Sequence, residues 1–243
     1  MDIDEFLAFL ERSNSEFNDP QLEFELLLSN GFPLDIIGND IVYKPTITSI
    51  KDQTFCIVDI ETTAGNPTKG QIIELGAVKY RDGKIIDKFD KLIYCKEVPP
   101  SIEKVTGIST NMLKNAASLR SVLEDFKLFL EDDIFVAHAI KFDYNFISQS
   151  FEQFNLGRLA NAKMCTIDLS KRVIVSQKYG LRTLKEVLNI DIDEEHRAYT
   201  DAYCSTLVLG KCIDDMPNTI QTSNDLIKFS LSDNIINKKK KNN

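Results

Sequence analysis

The chain has 243 residues, 43% of them hydrophobic and 27% charged, which excludes collagen-like, coiled-coil and disordered classes and fits one large domain with room for a small appendage. Its net charge of −8 lies entirely in residues 1–50, where ten acids face only Arg12 and Lys44; the remainder is neutral. So acidic a segment is excluded as a phosphate-binding surface, because a polyanion is repelled by it.

The longest apolar runs are strand-sized, far short of the roughly 18 to 20 residues that a bilayer span needs. Met-Asp-Ile-Asp-Glu at the N-terminus is acidic where a signal or transit peptide would be basic. The expectation is a soluble, cytoplasmic chain with no membrane partner. The five cysteines, Cys56, Cys95, Cys165, Cys204 and Cys212, include no C-x-x-C pair, so they read as small apolar core residues rather than as a zinc or disulfide framework.

Ile3, Phe6, Leu7 and Leu10 fall at helical spacing, and a polar break runs from Ser13 to Asn18. Pro20 marks the next helix start, Leu22 to Leu28 its body and Asn30-Gly31 its stop. Asp35 to Tyr43, turning through Gly38-Asn39-Asp40, reads as a tight hairpin before Pro45. Two helices and a hairpin make a winged-helix-like set. Its acidity points to a structural or protein-docking role.

From Phe55 the pattern becomes α/β. Phe55 to Ile60 is a near-continuous apolar strand that ends in acids. Ile72 to Tyr80 and Ile85 to Ile93 are strands joined by the turn Arg81-Asp82-Gly83-Lys84. Ser118 has the character of an N-cap for a helix over Leu119 to Leu130, with Val122, Phe126, Phe129 and Leu130 as its buried stripe. Ile134 to Ala137 is a short buried strand and Phe142 to Phe154 a helix. A helix near Leu181 to Leu188 and a long one from Arg197 to Asp214 follow. A meander followed by alternating strands and helices predicts a mixed sheet flanked by helices. Past Pro217 the apolar periodicity fades towards Lys238 to Lys241, which predicts a flexible tail. The expected domains are therefore an appendage over 1–50, a catalytic domain over 51–214 and the tail over 215–243.

Side chains alternate on a strand, so Asp59 and Glu61 point to one face, about 7 Å apart by strand rise. Two such carboxylates repel unless a cation sits between them, and oxygen donors of this kind suit Mg²⁺ or Mn²⁺. A solvated strand end would look the same in sequence. Asp143 falls in the first turn of a helix, where it either complements the helix dipole or joins a site. Asp201 lies inside an otherwise apolar helix, where a carboxylate needs a partner or a metal. Of the two histidines, His196 sits at the entrance of that helix, whereas the apolar setting of His138 reads as structural. Four acids and a histidine at the ends of separate elements match a two-metal hydrolase. Histidine as a residue type titrates near neutral pH and can take a proton from water.

Three segments, Val58-Asp59-Ile60-Glu61-Thr62-Thr63, Val136 to Ile147, and His196-Arg197-Ala198-Tyr199-Thr200-Asp201-Ala202, together resemble the motifs of the DEDDh, or DnaQ-like, 3′–5′ exonucleases, in that family's order. The resemblance covers about residues 53–214. It implies an RNase-H-like fold, with Asp59, Glu61, Asp143 and Asp201 holding two divalent ions and His196 as general base. It also implies that Glu61 and the Thr62 backbone meet the terminal 3′-hydroxyl. Ile108, in Val105-Thr106-Gly107-Ile108, would wedge against the terminal bases, and Phe142 would stack near the last nucleotide or pack in the core. Thr106-Gly107 taken alone is a plain turn.

Two departures stand out. Ala64 precedes Gly65 where the family often has Gly directly, and Ala139 follows His138 where the family usually has Asn.

The implied activity is release of nucleoside 5′-monophosphates from single-stranded or frayed DNA 3′ ends, nearest to the epsilon proofreading subunit of bacterial DNA polymerase III. RNA ends are the alternative substrate, and a non-catalytic interaction module of the same fold is the alternative class. Gln221 to Leu226 loosely resembles a sliding-clamp-binding peptide, so a replicative polymerase subunit or a sliding clamp is the candidate partner. Residues 1–50 are expected to be dispensable for hydrolysis of a short oligonucleotide.

Overall fold

Alternation along one strand sets up the architecture. In β3 (Phe55–Thr62), Cys56, Val58 and Ile60 enter one apolar cluster, while Phe55 and Ile57 enter another on the opposite face. Both faces of the strand are covered, which is why it reads as a continuous apolar run rather than an alternating one. The computed structural model describes residues 1–13, 19–192 and 196–233. The polar break over 14–18 and the run Lys238–Lys241 fall outside the described residues.

The appendage consists of α1 (Ile3–Arg12), α2 (Pro20–Ser29) and a hairpin of β1 (Leu34–Ile37) and β2 (Asp40–Tyr43). Asp2 and Asp19 cap the two helices through their carboxylates, and Gly38, at φ 65°, opens the two-residue turn. Leu10, Phe24, Leu34 and Ile41 form a small core of their own. The boundary falls earlier than residue 50. Ile50 belongs to the core of the main sheet, the Ser223 hydroxyl donates to the Pro45 carbonyl, and the Ile50 N–H donates to the Gln221 carbonyl.

The main sheet has five strands in the order β5-β4-β3-β6-β7. β3, β4 (Ile72–Arg81) and β5 (Lys84–Leu92) form an antiparallel meander; β6 (Ile134–Ala137) and β7 (Lys163–Cys165) add in parallel beyond β3. Between β5 and β6 lie two short helices, α3 (Pro100–Thr106) and α4 (Thr110–Leu113), then α5 (Leu119–Leu130) with its Ser118 cap. On one face of the sheet, α5 and α6 (Lys141–Gln153) cover Cys56, Val58 and Ile60 with Phe126, Phe146, Ile147 and Phe151. On the other face, α7 (Thr166–Val173), α8 (Leu181–Leu188), α9 (Ala198–Asp215) and α10 (Ser223–Leu231) cover Phe55, Ile57, Ile134 and Val136.

The tail is the main correction to the sequence reading. Residues 223–231 form a helix begun by a Thr222–Asp225 capping box, with Leu226 and Phe229 buried in the core. Apolar residues at 226, 227 and 229 are too few to show a clear period, yet two of them suffice to anchor a short helix on α7. The segment Gln221 to Leu226 is therefore a helix cap and first turn, not an extended peptide available to a clamp. Among the described residues, α7 was also unmarked in the sequence, while all five cysteines are buried, as expected, and none is in a disulfide. No helix of the described residues is long and apolar enough to cross a membrane.

Candidate active site

Five side chains meet where β3 and β6 run out. Asp59 and Glu61 share the face of β3 that carries Phe55 and Ile57, so they look towards α9. A register shift between Glu61 and Thr62 ends the regular ladder there. Asp201 lies in the first turn of α9, and His196 precedes the helix with its backbone in the left-handed region, at φ 59°. One ligand atom from each of Glu61, His196 and Asp201 lies within 4.8 Å of the others. Asp143, in the first turn of α6, arrives from the opposite face and is buried. Its carboxylate accepts the backbone N–H groups of Ile60 and of Asp143 itself.

The electrostatics are those of crowded acids. Burial, followed by the charges of Asp143, Asp201, Glu61 and Glu74, pushes the Asp59 carboxyl well above its ordinary range. Burial pushes Asp143 up to about 8, against the pull of its two N–H donors. Glu61 rises to about 7 through burial and the charges of Asp201 and Glu74, with Arg197 opposing. A cluster of hard oxygen donors with one imidazole, short of positive charge, fits Mg²⁺ or Mn²⁺ and not a thiolate-preferring ion.

Two residues with no role assigned from sequence hold this arrangement. Glu74 is 0% exposed and sits opposite Glu61 in the β3–β4 register. It receives a two-nitrogen fork from Arg197, at 2.6 Å from Nη2 and 2.9 Å from Nε to Oε1, while its Oε2 accepts the Ala198 N–H at 2.9 Å. The sequence does carry a signal for it: a single carboxylate inside Ile72-Ile73-Glu74-Leu75 must find a partner when buried. Gly76, paired with Asp59, is the second. A β-carbon there would overlap the backbone of Ala198 and Tyr199, so its absence lets α9 lie directly on β4.

The remaining expectations divide. Phe142 is 39% exposed beside Asp143, open to a stacking partner. Thr62 is nearly buried, and its hydroxyl donates to the Ala64 carbonyl, tying down the loop where Ala64 and Gly65 depart from the family pattern. Ile108 is not at the site surface. It is 0% exposed, packed with Ile73, Cys95, Val98 and Leu113. Gly107 ends α3 in the left-handed conformation at φ 70°, and the Ile108 N–H donates to the Thr106 hydroxyl, which turns the isoleucine inward. A wedge against bases requires exposed surface that this side chain lacks.

His138 is structural in its contacts. Its Nδ1 lies 2.8 Å from the Thr166 hydroxyl, and burial lowers its pKa to about 4. Ala139 takes φ 75°, a conformation that Asn tolerates better than Ala. The departure from Asn thus places an alanine in a left-handed turn.

The exonuclease family, RNase_T, matches residues 56–209. PolC-type DNA polymerase III of Staphylococcus haemolyticus is 34% identical over 197 residues, 80% of this chain and 14% of that protein. PolC-type DNA polymerase III of Staphylococcus aureus is 34% identical over 181 residues, 74% of this chain and 13% of that protein. The chain thus matches only about a seventh of these relatives' length. Among solved structures, E. coli exonuclease I in complex with a dA16 oligonucleotide superposes with TM-score 0.61 at 13% identity, over 68% of this chain and 42% of that one. Exonuclease X in complex with 5′ overhanging duplex DNA gives 0.55 at 20% identity, over 72% of this chain and 99% of that one. Those likenesses show the fold, a five-stranded mixed sheet flanked by helices of the RNase-H-like kind. The family match covers well over half of the chain and includes all five converging residues: the chain belongs to the exonuclease family.

Proposed function

We propose that this exonuclease works from the 3′ end, as a DEDDh-type hydrolase that releases nucleoside 5′-monophosphates from single-stranded or frayed DNA. The observation that carries the reading is the convergence of Asp59, Glu61, Asp143, Asp201 and His196 at one end of the sheet, with Glu61, His196 and Asp201 close enough to share one ion.

In this reading Asp59, Glu61, Asp143 and Asp201 supply the oxygen donors for two divalent ions. Such ions, when bound, stabilise charge on the scissile phosphate and on the departing 3′-oxygen. His196, exposed at the mouth of the site, accepts the proton of the attacking water at a ring nitrogen. A ring nitrogen of His196 lies within 4.8 Å of the Glu61 and Asp201 ligand atoms. Glu61 and the Thr62 backbone meet the terminal 3′-hydroxyl, and Phe142 offers a ring face to the last base. The balance of acidic and basic side chains beyond residue 50 suits a site in which ions, rather than a basic track, offset the phosphates. The relatives are polymerases, which supports action on newly made DNA ends beside a replicative polymerase, in the cytoplasm.

The test is a time course on 5′-labelled single-stranded DNA and RNA of matched sequence, with Mg²⁺, Mn²⁺ or EDTA, beside Asp201→Ala. The expected result is a metal-dependent ladder that shortens from the 3′ end, stronger on DNA and absent in the variant. A ladder on RNA alone would replace the substrate assignment. No cleavage by folded, metal-supplied protein would end the reading.

A further inference from the structure

The geometry points to Glu74 and Arg197 as a positioning pair that sets the first turn of α9, and through it both His196 and Asp201, over the Asp59–Glu61 edge of the sheet. This rests on the roles proposed above for His196 and Asp201.

The starting point is an anomaly of placement. A carboxylate at the centre of a sheet is unfavourable unless it is hydrogen-bonded and paired. Glu74 achieves both with neighbours from a single turn. Arg197 grips it with two nitrogens, and the Ala198 N–H, one of the donors a helix start leaves unmatched, donates to its other oxygen. No side chain caps α9 at Arg197. The carboxylate from β4 therefore does at long range what a capping residue does locally.

That anchors both ends of a short lever. His196 immediately precedes Arg197, and Asp201 follows it by one helical turn, with its own N–H bonded to the Arg197 carbonyl. Gly76 removes the β-carbon that would hold the helix off, so the fork closes only when α9 is in contact with β4. Across the same face, Asp90 on β5 lies opposite Gly76 and adds another acid near the guanidinium. Arg197 thus faces Glu74, Glu61 and Asp90 together, and its charge opposes the upward push on Glu61. Lysine could keep the charge but not the planar fork. Neither residue of the pair is assigned contact with the reacting atoms; they act through the residues they hold.

The experiment uses the full chain as wild type, Glu74→Gln, Arg197→Lys and the double variant. kcat and KM are measured on a short 5′-labelled single-stranded DNA with Mn²⁺, and amide hydrogen exchange is followed across α9 and α5 without metal. Misplacement of reacting groups by about an ångström costs up to about a hundredfold in rate. Each single variant should therefore lose roughly 10- to 100-fold in kcat with KM within about threefold. The double variant should be no worse than the poorer single, since the two act as one unit. Exchange should quicken about tenfold or more in the first turn of α9 and stay unchanged in α5. If Glu74→Gln does not fold, Arg197→Lys carries the test, because that side chain is already 35% exposed. An unchanged kcat, a rise confined to KM, or losses that multiply in the double variant would each overturn the pairing. If the wild type cleaves nothing, the proposed activity fails and the exchange result alone decides whether the pair sets the helix.

Discussion

Gly76 lies directly under the backbone of Tyr199, so close that a β-carbon would overlap the Tyr199 nitrogen and α-carbon. Gly76 is also the cross-strand partner of Asp59. The distance at which α9 packs and the distance between Asp201 and the β3 acids are thus set by one missing methyl group. Gly76→Ala should push the helix outward, destabilise the fold by about 3 kcal/mol or more and lower kcat by about a hundredfold. Chemical denaturation and steady-state kinetics check both; a variant with wild-type rate would show that α9 can shift without moving the site.

The crowded carboxylates predict how pH and metal act on stability. In the metal-free fold, Asp143 titrates near 8 and Glu61 near 7, whereas in the unfolded chain both titrate near 4. Between those limits the folded state holds the extra protons, so stability without metal should fall as pH rises from about 5 to about 8.5. Mg²⁺ displaces those protons, and its stabilisation should be larger at pH 8.5 than at pH 6. Asp143→Asn should flatten the metal-free slope while abolishing hydrolysis. Thermal melts at several pH values measure this, and an identical slope in the variant would exclude Asp143 as its source.

His138 should act in the opposite direction. Its pKa is lowered to about 4 in the fold against about 6.5 for a free imidazole. Between pH 6.5 and 4 the unfolded chain takes up a proton that the folded chain refuses, so this residue removes stability as pH falls. The full effect is about 3 kcal/mol. Because the acids oppose it in the same window, the wild type has to be compared with His138→Gln. The difference in unfolding free energy between them should change by about 2 to 3 kcal/mol from pH 7.5 to pH 4.5. A pH-independent difference would mean that the folded protein admits a proton at His138.

Removal of the appendage should leave the chemistry intact, provided the cut respects the structure. Lys127 and the Ala160 N–H both donate to Asn30, and Lys44, just past the hairpin, pairs with Asp132, so the appendage docks beside the start of β6. The proposed catalytic edge is at the other end of β3, about 20 Å away by strand rise. A chain beginning at Lys44 should keep kcat on a short oligonucleotide within about threefold while losing several degrees of Tm as Leu130 and Leu159 gain exposure. A chain beginning after Ile50 should be far less stable, because it loses the contacts of Pro45 and Ile50 with α10. A large fall in kcat for the Lys44 start, with the fold retained, would give the appendage a catalytic role.

Local chemistry wrote much of this protein into its sequence. Hydrophobic runs, alternation, the Ser118 cap and the Gly38 turn marked most elements close to their observed limits, because each depends on neighbours a few residues away. The four acids and His196 were legible for a similar reason: charges at the ends of apolar elements are conspicuous, and their motifs are short and contiguous. The burial of Ile108 depended on Gly107 ending α3 and turning the chain inward towards Ile73. The packing of α10 depended on a groove made by α7 and the segment around Pro45, over 170 residues earlier in the chain. The Glu74–Arg197 fork joins residues more than 120 positions apart. Periodicity reports which face of an element is apolar, but not which distant element will cover it; only the closed sheet, with α9 laid on Gly76, brings that carboxylate and that guanidinium together.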